Sequence, residues 1–232
     1  MNSMETTTAE IQDSPQVPDT LADALARHKI ELPAKQAALV EKYARALWDW
    51  NEKINLTRHT DFEKFVCRDL ADTTQLARLL HPEEEVLDVG TGGGVPGLLL
   101  AILRPDLTVH LSDSVQKKAK VVQAIARDLR LANVTVFFTR AEEQLKETRY
   151  DSVVSRAVGP LDKILTWFRP HWAYIGRLLL IKGPKWTEEH NEAKRLGLMK
   201  KLELRVASEY PLAGTDSKSV ILKIWHQGSR ER

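Results

Sequence analysis

A short apolar run, Val86–Val89, leads directly into the loop Asp88-Val-Gly-Thr-Gly-Gly-Gly-Val-Pro-Gly97, after which the chain turns helical near Gly97–Leu103. A strand, a glycine-rich turn and a helix in that order predict an α/β fold with a ligand loop at a strand end. Glycines at 90, 92 and 94 let the backbone turn sharply and approach a ligand, and the helix start favours polar groups there. Pro96 suits the first helical turn. No Gly-Lys-Ser/Thr ending follows, so a nucleoside triphosphate loop is excluded. The loop alone does not choose between cofactors, because Gly92-Gly-Gly-Val-Pro-Gly97 also fits the spacing of dinucleotide dehydrogenases.

Six more short runs follow, at Thr108–Ser112, Val134–Thr139, Ser152–Ser155, Leu178–Ile181, Glu203–Ser208 and Ser219–Trp225. Helical stretches near Val115–Leu131, Leu161–Trp172 and Thr187–Gly197 lie among them. Alternation of this kind predicts βαβ units and a parallel sheet covered on both faces. The last two strands have no clear helix between them, only a loop around Pro211–Lys218, which predicts a terminal antiparallel hairpin. A seven-stranded, mostly parallel sheet closed by an antiparallel strand favours the Rossmann-like class I S-adenosylmethionine-dependent methyltransferase fold over the all-parallel dehydrogenase arrangement.

Upstream, two apolar stripes at helical spacing predict a helical cap over 21–82. One runs through Leu39, Tyr43, Leu47, Trp50 and Ile54, with Pro33 in a first helical turn; the other runs from Phe62 and Phe65 to Leu80. Asn51–Thr57 between them reads as a helix end and a turn. The sheet region then spans 83–227. Residues 1–20 carry Glu5, Glu10, Asp13 and Asp19 with no Lys or Arg, and read as a disordered acidic tail. The net charge of +2 is therefore a tail of −4 and a body of +6, mildly basic and compatible with an RNA partner. No apolar stretch is long enough to span a bilayer, and the N-terminus lacks the basic start and apolar run of a signal peptide. A single cysteine, Cys67, fits a reducing cytoplasm, and the seven histidines show no metal-ligand spacing, so no metal is expected.

Asp113 ends the second strand about twenty residues past the loop, where an acid binds ribose hydroxyls of an adenosine-containing cofactor. It also reads as the cap of the helix that follows. Asp88 stands where it holds the loop backbone or reaches a cationic ligand. Lys117, Lys120 and Arg127 share one side of the next helix, opposite Val115, Val122, Ile125 and Leu129. That side reads equally as a solvated face or an RNA backbone contact, as do Arg45, Lys53, Arg58 and Arg68. Trp48, Trp167, Trp172 and Trp225 fall in apolar patterns and read as core, whereas Trp186 reads as packing or as a platform for a splayed base.

Taken together, Leu87-Asp-Val-Gly-Thr-Gly-Gly-Gly-Val-Pro-Gly97, Arg104-Pro-Asp106, Asp113-Ser114, Lys117, Asn133-Val134, Arg140-Ala-Glu142, Ser155-Arg-Ala157 and Lys182-Gly183 strongly resemble the RsmG (glucose-inhibited division protein B) family of ribosomal RNA guanine-N7 methyltransferases. Trp50-Asn51, Asn55-Leu-Thr57, Arg68 and Asp72 extend the match upstream, so it covers roughly Lys35 to Trp225. The resemblance implies S-adenosyl-L-methionine as cofactor and N7 of a guanine in the 530 loop of 16S ribosomal RNA, nucleotide 527, as target. The partner would be that RNA or the 30S particle. It places Gly90, Val95, Ala141, Glu142 and Arg156 around the methyl donor, beside Asp88, Gly92 and Asp113 from the loop reading. Three departures stand out: Asp69 where the family usually has His on the substrate side, Ser112 in place of an apolar residue, and Val95 in place of a larger one.

The residue types fit that target. No Asp/Asn-Pro-Pro-aromatic run for amine methylation follows the fourth strand, which reads Ser155-Arg-Ala-Val-Gly-Pro160. Cytosine C5 chemistry needs a cysteine beside that strand, and Cys67 is far upstream. Guanine N7 has a free lone pair and needs mainly alignment. Arg140, Arg156 and Lys182 are the candidates for positioning the substrate: the arginines through a phosphate, the guanine edge or the cofactor environment, Lys182 through a phosphate; a salt bridge to Glu142 or Asp88 is the other reading of each arginine. Open alternatives are a methyltransferase of the same fold with another RNA or small-molecule substrate, an NAD-dependent oxidoreductase, and a non-catalytic module that binds ribosomal RNA.

Overall fold

Neighbouring residues of the central strand β1 (Glu85–Val89) serve opposite cores: Val86 packs into one apolar cluster, Leu87 and Val89 into another. The same split recurs in β4 (Tyr150–Arg156), through Val154 and Val153, and in β5 (Ile175–Lys182), through Leu179 and Leu178. Alternation of side chains across a strand thus builds one layer of helices on each face of the sheet. The computed structural model describes residues 20–211 and 216–228.

Seven strands form one sheet in the order β3-β2-β1-β4-β5-β7-β6, with β2 at Thr108–Ser112, β3 at Val134–Phe137, β6 at Leu202–Pro211 and β7 at Lys218–His226. The first five are parallel; β7 runs antiparallel to β5 and to β6. The expected terminal hairpin is present, although residues 212–215 of its loop lie outside the described residues. Strand order reverses between β1 and β4, and a ligand site in such a sheet lies beyond the C-terminal strand ends at that reversal.

The upstream region comprises α1 (Leu21–Arg27), α2 (Ala34–Asn51), a three-residue α3 (Phe62–Lys64), a π-helical turn (Phe65–Leu70) and α4 (Ala71–Ala77). Pro33 caps α2 from just outside, and Asn51 accepts from Leu56 N and Thr57 N, closing the turn expected there. Val40, Tyr43, Leu47, Phe65 and Leu70 share one apolar core with α5 (Gly97–Leu103) and α6 (Gln116–Asp128). The cap is therefore built onto the sheet and not tethered to it. Thr20 belongs to α1, since its hydroxyl accepts from Asp23 N; the rest of the expected acidic tail lies outside the described residues.

The opposite face carries α7 (Ala141–Gln144), α8 (Leu161–Phe168), a 3₁₀ segment (Arg169–Tyr174) and α9 (Trp186–Arg195). The apolar periodicity does not reveal α7, whose four residues are too few for a helical period to repeat. Val115 does not join the buried face of α6; it is the N-cap and 48% exposed. Trp225 also differs from its expected core position: it is only partly buried and lies beneath the cations of Arg205 and Lys223, 5.7 and 5.3 Å from its ring.

Candidate active site

The glycine loop starts where β1 ends, and its shape is set by two aspartates. Oδ2 of Asp88, a fully buried residue, accepts from Gly97 N at 2.9 Å and so pins the start of α5. Burial pushes the Asp88 carboxyl up to about 6, against the hydrogen bond from Gly97. Asp113 holds the other end: Oδ2 accepts from Gly92 N at 2.9 Å and Oδ1 from Val115 N at 2.8 Å. Asp113 does not cap α6, whose N-cap is Val115; it closes a turn just before that helix and ties it to the loop. Gly90 adopts φ +66°, and a Cβ there would come within 2.6 Å of Val158 Cγ2. Only glycine permits both that backbone and that approach.

Between the loop and the ends of β2, β3 and β4 lies a cavity of about 280 Å³. Gly90, Ala141 and Glu142 line it, as the resemblance implies, and so does Arg140, which the sequence put forward for positioning the substrate. So do Ser112, Ser114, Thr139, Val158 and Trp167, which the sequence did not assign to it. Ser112 is drawn in because its hydroxyl donates to Thr139 O at 2.6 Å, joining the ends of β2 and β3. Trp167 packs against the core as expected while also presenting a face to the cavity. Val95 is buried in the apolar core below the loop. Asp113 is buried beside this lining and is not part of it. A carboxylate, hydroxyls and apolar surface around a glycine turn suit a nucleoside: hydroxyls for Glu142 to accept from, and a flat base for Val158 and Trp167 to cover.

Arg156 and Lys182 are not in this cavity. They line a second one, of about 600 Å³, across the loop that follows β4, together with His59, Arg68, Asp72 and Ala157. The salt-bridge partners expected for Arg156 are also corrected: its Nη1 lies 2.6 Å from Asp69 and 3.4 Å from Asp72, both from the helical cap. Burial opposes the Arg156 charge, but these carboxylates overcome it and raise its pKa. Asp69 is fully buried, pairs also with His59 Nδ1 at 2.8 Å, and is therefore a support for Arg156, not a residue presented to a substrate. Burial raises the pKa of Asp72, which accepts from the Tyr210 hydroxyl at 2.7 Å. The π-helical turn is what brings Asp69 to this place, and such turns are frequent at functional sites.

Lys182 departs most from expectation. It is 8% exposed, donates to Gly159 O at 2.6 Å and pairs with Glu189 at 2.7 Å, while Glu189 also accepts from Leu161 N. Its charge is spent on fastening the loop after β4 to α9. Trp186 is half-buried and stacked on His190. Lys117, Lys120 and Arg127 stand exposed on α6. Among the described residues no group of His, Cys, Asp and Glu could hold a metal ion, and no helix is long and apolar enough to cross a membrane.

The strand order, the antiparallel β7 and the cavity at the strand-order reversal define the class I S-adenosylmethionine-dependent methyltransferase fold. Solved structures share that fold: M. capricolum TrmK with S-adenosyl-homocysteine (TM-score 0.52, 14% identity, 69% of this chain and 71% of that one) and a Geobacter metallireducens precorrin-6y C5,15-methyltransferase (TM-score 0.50, 16% identity, 75% and 95%). More particularly, the family model for rRNA small subunit methyltransferase G (GidB) matches residues 36–212. Ribosomal RNA small subunit methyltransferase G of Rhodopirellula baltica is 51% identical over 189 residues, covering 82% of this chain and 81% of its own. The Chlorobaculum tepidum protein of the same name is 36% identical over 176 residues, covering 75% and 81%. The chain belongs to the rRNA small subunit methyltransferase G family.

Proposed function

We propose that this protein transfers a methyl group from S-adenosyl-L-methionine to N7 of a guanine in small-subunit (16S) ribosomal RNA, in the cytoplasm. The guanine is the one in the 530 loop to which the resemblance points, and the substrate is that RNA or the 30S particle. The observation that carries the reading is the pairing of two cavities across one loop, with Val158 lining the first and Arg156, Ala157 and Gly159 the second. Membership of the family supports it.

The first cavity fits the methyl donor on the chemistry of its lining. Glu142 accepts from ribose hydroxyls, and Asp113 supports the site from behind by holding Gly92 N. Gly90, without a side chain, leaves the cavity mouth open. When bound, S-adenosylmethionine supplies an electrophilic sulfonium methyl, whose transfer to N7 moves the positive charge onto the purine and releases no proton. The protein therefore needs no general base; its task is to hold the base and exclude water. Exposed cations on α6 and the cap, among them Lys117, Lys120, Arg45 and Arg58, meet the RNA backbone.

The reading is tested by mapping N7-methylguanine in ribosomal RNA from cells with and without the protein. One site should vanish in its absence, and an unchanged map overturns the substrate. Calorimetry with S-adenosylhomocysteine and NAD should show binding of the former alone.

A further inference from the structure

We propose that a third cavity, on the outer side of Tyr210, seats a nucleotide of the substrate RNA that flanks the target, with its phosphate on Lys29 and Arg78. The proposal rests on the RNA partner in the function proposed above and names where the strand runs beyond the reacting base.

This cavity, of about 440 Å³, lies where the turn after α1, the helical segment from Cys67 to Arg78 and the end of β6 leave space between them. A single layer of side chains parts it from the 600 Å³ cavity. Cys67 and Ala71 line the outer cavity, and their chain neighbours Arg68 and Asp72 line the inner one. Tyr210 lines the outer cavity while its hydroxyl donates to Asp72 at 2.7 Å, and Ser219, its partner across the hairpin, lines the inner one. A base drawn out of a stack bends its backbone, so the nucleotides beside it need seats of their own. The wall is thin enough for an extended strand to cross it from one nucleotide to the next.

The rim of the outer cavity carries charge that the fold does not use. Lys29 and Arg78 are exposed, and among the described residues neither side chain has a hydrogen bond or an ion pair. Glu31 is the acid in the lining, which therefore stands at +1 with His28 neutral. His28 is itself paired with Glu63, which also holds Arg27, and beside Tyr210 the exposed Glu209 and Lys218 neutralise each other. Two available cations at the mouth suit a phosphate, and Ile30, Pro211 and Tyr210 give a wall for the ribose or base behind it.

The backbone at Lys29 supports the same reading. Lys29 N donates to Ala26 O and Ile30 N to Leu25 O, which closes α1 with Lys29 in the left-handed region at φ +52°. Glycine takes that position at a helix end with less strain. A lysine there gives up backbone stability and sets a cation at the rim of the cavity.

Cys67, the sole cysteine of the chain and part of the cavity lining, gives the test its handle. The full-length protein, carrying an azidophenacyl photocrosslinker on Cys67, is irradiated on unmethylated 30S subunits, and adducts are mapped by reverse transcription. They should fall within a few nucleotides of the one that the protein methylates. In unlabelled protein, Lys29→Gly and Arg78→Gln should each raise the Kd for 30S subunits by about 3- to 10-fold and reduce the salt slope by about one, with S-adenosylhomocysteine affinity at the wild-type level. Lys29→Gly should do so with a Tm at or above wild type, a combination that a purely structural lysine does not give. Arg195→Gln, on the opposite face of the sheet, controls for net charge and should leave Kd and slope unchanged. If the label blocks binding, the two substitutions carry the test. Adducts confined to ribosomal protein or to remote RNA overturn the proposal, as do wild-type Kd values in both variants. Failure of the wild-type protein to methylate guanine N7 would instead sink the function proposed above, with Kd and salt slope still deciding this proposal.

Discussion

The Tyr43 hydroxyl of α2 donates to the carbonyl of Gly93 at 2.9 Å, so the helical cap holds the glycine loop directly. Both groups are buried, and the tyrosine ring is packed at 6.1 Å from Phe65 of the π-helical turn. Burial, then the negative charge of Asp69, raises the Tyr43 pKa well above that of a free phenol, which keeps the proton available for this bond. One side chain thereby links the element that carries Asp69 to the glycine loop and the cavity that it borders.

Tyr43→Phe leaves the Gly93 carbonyl buried without that partner. Unfolding free energy should fall by about 1–3 kcal/mol, measured by urea denaturation. S-adenosylhomocysteine affinity should fall as well, because the loop loses a fixed point. Unchanged affinity would show that Asp88 and Asp113 hold the loop unaided.

Gly90→Val should abolish binding of the donor. The residue has φ +66°, where a β-branched side chain is strained, and its Cβ would lie 2.6 Å from Val158 Cγ2. Gly90→Ala carries the same clash with less bulk and should bind with a measurably weaker dissociation constant. Retained methyl transfer by the valine variant would contradict this.

Stability should depend on pH through Asp88. Burial raises its carboxyl from 3.8 in the unfolded chain to about 6 in the folded one. The folded state therefore favours the protonated acid: this contribution is fully present below about 4 and is lost as pH rises through about 6. Its size is about 2–3 kcal/mol. Asp88→Asn, neutral throughout, should remove that part of the pH dependence, so the variant gains relative to wild type between pH 4 and 7 in urea titrations. A constant difference across that range would show that Asp88 stays ionised.

Beneath the sheet, Arg177 and Glu84 form a buried pair at 2.6 Å, closed into a ring by Ser152, which accepts from Arg177 Nε and donates to Glu84. Arg177→Met should destabilise by about 3–5 kcal/mol, since it leaves the carboxylate uncompensated. Adding Glu84→Gln should recover a large part of the loss in thermal denaturation. Equal loss in single and double variants would place the energy in packing instead.

Lys182 should behave as a structural cation. Lys182→Met should lower stability through the loss of its bonds to Gly159 and Glu189, while the salt dependence of 30S binding keeps its slope. A slope reduced by about one would return Lys182 to the RNA interface.

Much of this architecture is legible along the chain. Strand runs such as Thr108–Ser112 and helix stripes such as Tyr43 and Leu47 follow from side-chain periods of two and 3.6, which need only local sequence. The glycine loop is legible for the same reason: φ > 0 at Gly90, Gly92 and Gly94 is a local demand. The π-helical turn is not, because Phe65–Leu70 reads as ordinary helix until packing selects the extra residue.

What the chain alone determined is which residues turn, which are apolar, and therefore the alternating sheet and the glycine loop at the end of β1. Which charged groups remain available was decided only by the tertiary structure. Lys182 and Arg156 are both cations at strand ends, yet one is consumed by Glu189 seven residues on and the other is held by Asp69, 87 residues upstream. The distinction is physical: burial makes an unpaired charge costly, so each buried cation takes whatever carboxylate the fold brings within reach, and that proximity is not written in local sequence.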